Sequence, residues 1–175
     1  MKSKKQLILY AVLCISLHMQ AQVSKIYGYK QYLFGGAMQM NNNTEDKPGN
    51  EKPMPSVSTQ YFIFAAIEKT KSMIPQQLWI NKQLYNFTLD TIRQFPFIVL
   101  SPGRDESISK DTLVKSATGC VIQLKDLMPV KQQNIPKSIG KMVRENALVF
   151  IYLYKGRMRK IFIRHLKQLA PVYYP

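Results

Sequence analysis

The chain has 175 residues, with 25 Lys or Arg against 10 Asp or Glu, a formal charge of +15, and only two Cys and two His. So few thiols and imidazoles exclude a disulfide framework and leave a zinc site short of ligands. The positive excess favours an anionic partner: an acidic protein, an anionic glycan, lipid headgroups or nucleic acid.

At the N-terminus Lys2, Lys4 and Lys5 precede the uncharged run Leu7 to Leu17 (LILYAVLCISL), and small Ala21 follows. This order reads as a cleavable secretory signal peptide over residues 1–21, with Gln22 first in the mature chain. The run spans eleven residues, about half of the ~20 that a membrane-spanning helix needs, so no permanent membrane anchor is expected. Without this segment one thiol and one imidazole remain, Cys120 and His165, and the charge falls to +12. Residues 22–175 are then expected to fold as a single domain held by its own core.

Residues 25–34 (KIYGYKQYLF) are rich in Tyr with Ile, Leu and Phe and predict a strand, ended by Gly35-Gly36. The segment 41–58 (NNNTEDKPGNEKPMPSVS) has three Pro and almost no large apolar group, and predicts a flexible loop. Gln60 to Glu68 (QYFIFAAIE) has the length and composition of a buried strand. Leu78 to Ile80 and Leu84 to Leu89 flank Asn81-Lys82-Gln83, a short connection whose Asn accepts a left-handed backbone, so a hairpin is expected. Phe95 to Leu100 predicts a strand whose Pro96 belongs at its start or at an edge, closed by Ser101 to Asp105.

Cys120 to Leu124 predicts another strand, and Ile139, Met142 and Val143 have helical spacing after Pro136. Leu148 to Tyr154 (LVFIYLY), Lys155-Gly156 and Arg157 to Leu166 then make a β-hairpin, with Gly supplying a positive φ. Its first arm is apolar on both faces and belongs inside; its second is basic and belongs at a sheet edge. About eight short strands between Gly, Pro and Asn turns predict an all-β domain with at most one short helix, most simply an antiparallel β-sandwich of 7–8 strands.

Between residues 131 and 175 ten Lys or Arg stand against the single acid Glu145, a local charge of +9. Arg157, Arg159, Lys160, Arg164 and Lys167 are therefore the candidate binding residues for an anionic partner, an envelope protein or an anionic glycan. Tyr152, Tyr154 and Phe162 would add stacking faces for nucleic acid, but an exported protein rarely meets it. The chain is thus expected to be a non-enzymatic binding or accessory protein of a cell envelope. The alternative is a small periplasmic hydrolase using Cys120 with His165, or scattered carboxylates such as Glu68 and Asp90, in a cleft. Cys120 lies in an apolar strand pattern, where a thiol is ordinarily a small core residue. No catalytic set, metal-ligand spacing or cofactor motif stands out. A third reading has the tail, Ala170 to Pro175 with Tyr173 and Tyr174, docking into a partner.

Asp90-Thr91-Ile92 and Asp111-Thr112-Leu113 resemble the Asp-Ser/Thr-aliphatic acceptor motif of a general O-glycosylation system of some Gram-negative periplasms. The resemblance implies surface loops with possible O-glycosylation at Thr91 and Thr112, and a location in the periplasm or at the surface of a Gram-negative bacterium.

Overall fold

The computed structural model describes residues 23–35, 57–67, 73–103, 107–116, 119–131 and 134–174. The signal segment 1–21 and residues 41–56 of the expected loop lie outside them. The last two residues of that loop, Val57 and Ser58, open a strand instead, because they pair in register with Phe34 and Leu33.

Among the described residues eleven strands and one helix follow in order: β1 (Val23–Phe34), β2 (Val57–Ile67), β3 (Met73–Ile80), β4 (Gln83–Ile92), β5 (Phe97–Pro102), β6 (Ile108–Val114), β7 (Cys120–Pro129), α1 (Lys137–Glu145), β8 (Leu148–Tyr154), β9 (Arg157–Ile163), β10 (Lys167–Gln168) and β11 (Val172–Tyr173). The expected all-β class with one short helix is what the chain adopts. Nine strands form one sheet along the path β10-β1-β2-β7-β4-β3-β8-β9, with β11 also on β1; β5 and β6 make a separate ribbon. The sheet is mixed: β10 and β11 run parallel to β1, while the other pairs are antiparallel.

The sheet curls on itself. One of its faces supplies a single core to which seven strands contribute, including Ile26, Ile63, Leu124, Phe87, Leu78, Phe150 and Ile161. Strands at the two ends of the path share one cluster only if the concave side closes. Gly28 marks that closure: a Cβ there would stand 2.6 Å from Leu166 Cδ2 and 3.1 Å from Ile163 Cδ1, so β1 lies directly against the far end of the sheet. Glycine fits this close approach without displacing the ends of the Leu166 and Ile163 side chains.

Two smaller layers cover the convex face. The β5–β6 ribbon lies over β1, β2 and β7, burying Tyr29, Phe64, Val114 and Val121. The Tyr29 hydroxyl donates to the Leu113 carbonyl. Gln31, 1 % exposed, donates to Ser101 Oγ at 2.6 Å and to the Ala170 carbonyl at 2.8 Å, tying β1, the ribbon and the tail together. The helix α1 lies over β4, β3 and β8, with Ile139 and Val143 against Trp79, Val149 and Ile151. Strand β8 is therefore buried on both faces, which is why its sequence is an unbroken apolar run. Each such fully buried large side chain stabilises the fold by about 1.5–3 kcal/mol.

Both tight hairpins use two-residue loops with positive φ at both positions: Asn81 and Lys82 at 48° and 70°, Lys155 and Gly156 at 48° and 70°. This is the loop geometry whose twist matches that of paired strands.

Candidate functional site

Among the described residues strand β9 ends the sheet path and pairs with β8 alone. Side chains alternate between the faces of a strand, so its cations divide. Arg157 and Arg159 sit opposite Tyr154 and Tyr152, whose side chains belong to the concave core. Lys160 sits opposite Ile151, which faces α1 on the convex side. Arg164 carries that convex alternation on, its carbonyl accepting from the Ala147 amide at 3.2 Å. Lys167 is in register with Tyr29, again on the convex side, where Tyr29 meets the ribbon. The five residues singled out in the sequence thus lie where the two ends of the sheet path approach each other, four on or just past β9 and Lys167 on β10, and they line both faces.

Arg159 is half-buried and the other four are exposed. Among the described residues the one ion pair is Lys125–Asp90, so no carboxylate of those residues pairs with a cation beyond residue 130. Lys160 Nζ instead reaches the Ser138 carbonyl at 3.5 Å, bringing the first turn of α1 beside β9.

A second feature lies in the middle of the sheet path, where β7 leaves β2. Strand β7 pairs with β2 only from Cys120 to Leu124, because a bulge follows: Asp126 and Leu127 together oppose Phe87 of β4, between the pairs Thr88–Lys125 and Asn86–Met128. Asp126 takes φ 51°, a left-handed conformation that an L residue adopts at a cost. Its carboxylate accepts from the Thr88 hydroxyl, which holds the bulge in place. The bulge turns β7 away from β2 and opens a cleft of about 630 Å³ lined by Gln60, Tyr61, Phe62, Tyr85, Gln123 and Asp126 among others. The Tyr61 and Tyr85 rings meet edge to face at 6.0 Å, and Asn81 donates to the Tyr61 hydroxyl at 3.2 Å. Burial, with Tyr61 beside it, pushes the Tyr85 phenol above its ordinary value. At the rim the Lys125 ammonium, bonded to Asp90, holds that carboxyl below its usual range. The cleft mixes polar and apolar groups and is close to neutral, with Lys125 offset by Asp126, an exception on a strongly cationic chain. Sequence reasoning did not find it; its one signal is Lys125-Asp126 interrupting an apolar run, which reads as the end of a strand.

The remaining candidates are not assembled. Cys120 is half-buried at the start of β7 and His165 is exposed in the bend before β10. Three strand spacings separate β7 from β10 along the sheet path, about 14 Å, so the two side chains do not form a hydrogen-bonded pair. Glu68 lies outside the described residues, and Asp90 is engaged by Lys125. Among the described residues no three or more His, Cys, Asp or Glu cluster as metal ligands would. Thr91 is exposed but sits within β4, and Thr112 is half-buried within β6, so both are in strands rather than the surface loops the motif implies. The tail packs on its own chain: Val172 and Tyr173 pair with Leu33 and Phe34, and the Tyr173 and Phe34 rings stack at 5.0 Å.

Fold and surfaces together define an all-β protein with one helix that presents a cationic sheet edge and a near-neutral interstrand cleft. Compared with protein-family models, curated proteins and solved structures, the chain matches none.

Proposed function

We propose that this is an exported, non-enzymatic binding or accessory protein of a bacterial cell envelope, and that it holds an anionic glycan or acidic protein partner on the cationic edge formed by β9 and β10. The observation that carries this reading is the concentration of positive charge on and beside an edge strand. Arg157, Arg159, Lys160, Arg164 and Lys167 crowd the seam where the two ends of the sheet path approach each other, and no carboxylate among the described residues pairs with them. Such a row repels itself, a cost that an anionic partner relieves. The division between faces adds geometry. A partner lying along the edge meets the guanidinium groups of Arg157 and Arg159 on one side and the Lys160 and Lys167 ammonium groups with Arg164 on the other, which fixes its orientation as well as its affinity.

The test replaces all five residues by Gln and compares capture of envelope components by the two proteins at low and high salt. The proposal expects capture to be lost in the variant and weakened by salt in the parent, with the melting temperature little changed. Equal capture by both proteins would reject the cationic edge as the contact.

A further inference from the structure

On the convex side of the same edge, cations alternate with large apolar side chains left in water. Ile74, Leu153 and Met158 stand in register across β3, β8 and β9, as cross-strand neighbours about 5 Å apart. Ile74 and Met158 are each 60 % exposed, and Phe162, two positions beyond Lys160, is 48 % exposed. The outward row of β9 therefore runs Met158, Lys160, Phe162, with Arg164 just past the end of the strand. Strand β9 is bordered by α1, whose Ser138 carbonyl meets Lys160 and whose Lys137 and Lys141 are exposed.

We infer that this convex row docks on the surface of an anionic lipid bilayer, with Met158, Phe162 and Ile74 entering the headgroup boundary and Lys160, Arg164, Lys137 and Lys141 on the phosphates. The inference rests on the proposed cationic contact and divides it, leaving Arg157 and Arg159 on the concave face for the partner. Two arguments favour a bilayer over an acidic protein. A protein interface gathers its apolar groups into a desolvated centre with charges at the rim, whereas here the two kinds alternate along one strand. Interleaved apolar and cationic side chains on a single face are what an interfacial surface needs, each anchor flanked by a charge that stays at headgroup level. Charge complementarity then selects anionic lipid, since one acid, Glu145, stands among the residues beyond 130.

The test measures binding of the full chain to phosphatidylcholine vesicles with and without phosphatidylglycerol. The row predicts binding only with the anionic lipid, falling roughly five-fold for each of Lys160→Gln and Arg164→Gln, and falling again in Ile74→Ser/Met158→Ser/Phe162→Ser. A depth readout separates this face from any contribution of the N-terminal apolar segment. Phe162→Trp in a Trp79→Phe background places one indole on the row, and brominated phosphatidylglycerol should quench it. Binding without quenching at position 162, equal binding by the Gln variants, or no binding at all would overturn the inference. Arg157→Gln/Arg159→Gln should leave vesicle binding unchanged while lowering partner capture, so failure of one contact is distinguishable from failure of the other.

Discussion

Replacing Gly28 by Val tests the closure of the sheet, which positions the cationic edge. A Cβ at residue 28 would stand 2.6, 3.1 and 3.4 Å from terminal carbons of Leu166, Ile163 and Leu148. Carbon atoms prefer about 3.5–4.0 Å, so Leu166 must retreat by roughly 1 Å, and the two valine methyls bring further atoms into the same space. Overpacking of this kind costs about 1–3 kcal/mol. In a domain of this size each kcal/mol lowers the melting temperature by about 2–4 °C, so thermal denaturation followed by circular dichroism should show a loss of roughly 3–10 °C. Adding Leu166→Ala removes the obstructing carbon. The double variant should then be more stable than the sum of the two single effects by about 1 kcal/mol or more. A Gly28→Val protein that melts with the parent, or two changes that simply add, would mean that β1 and the β9–β10 bend do not meet.

Other expectations are read by simple assays. Trp79 is the one Trp of the chain and is 2 % exposed beneath α1, so Val143→Asp, which forces a carboxylate into that contact, should undock the helix and shift tryptophan emission to the red. Burial, with a lesser effect of Tyr27, raises the Tyr29 phenol above 10.0. The stability this phenol contributes is complete below pH 10 and is lost as pH rises through its folded value, because the unfolded chain gives up the proton first. Urea midpoints should accordingly fall above pH 10, less steeply in Tyr29→Phe. Lys82 holds φ 70° at the second loop position of the β3–β4 hairpin, where glycine is preferred, so Lys82→Gly should raise stability by about 0.5–1 kcal/mol in urea denaturation.

The final hairpin was the most legible part of the sequence. Leu148 to Tyr154 has no polar position because both of its faces are covered, and Gly156 supplies the left-handed turn. The Asn81 turn and the helix after Pro136 were readable for similar local reasons. Strand β6 (ISKDTLV) was not. A two-stranded ribbon buries only one side against the convex face, and its charged residues read as loop. Residues Met73 to Gln77 were missed because Pro75 and two Gln break the apolar pattern, while β8 supplies the pairing. The short strands β10 and β11 exist only because β1 offers them an edge, and no local pattern announces them. Of the candidate site, the residue types of the cationic edge were visible, but their division between faces depends on where the strand starts its alternation. The cleft depends on Asp126 accepting a conformation that its neighbours impose, which no propensity reveals.

The central claim is that the β9–β10 edge holds an anionic partner, and its most direct test is affinity capture from the native envelope with identification of what is recovered by mass spectrometry. The account predicts a reproducible anionic partner that the protein with Arg157, Arg159, Lys160, Arg164 and Lys167 replaced by Gln does not retain. Recovery of the protein alone, or of the same partner by both forms, would contradict it.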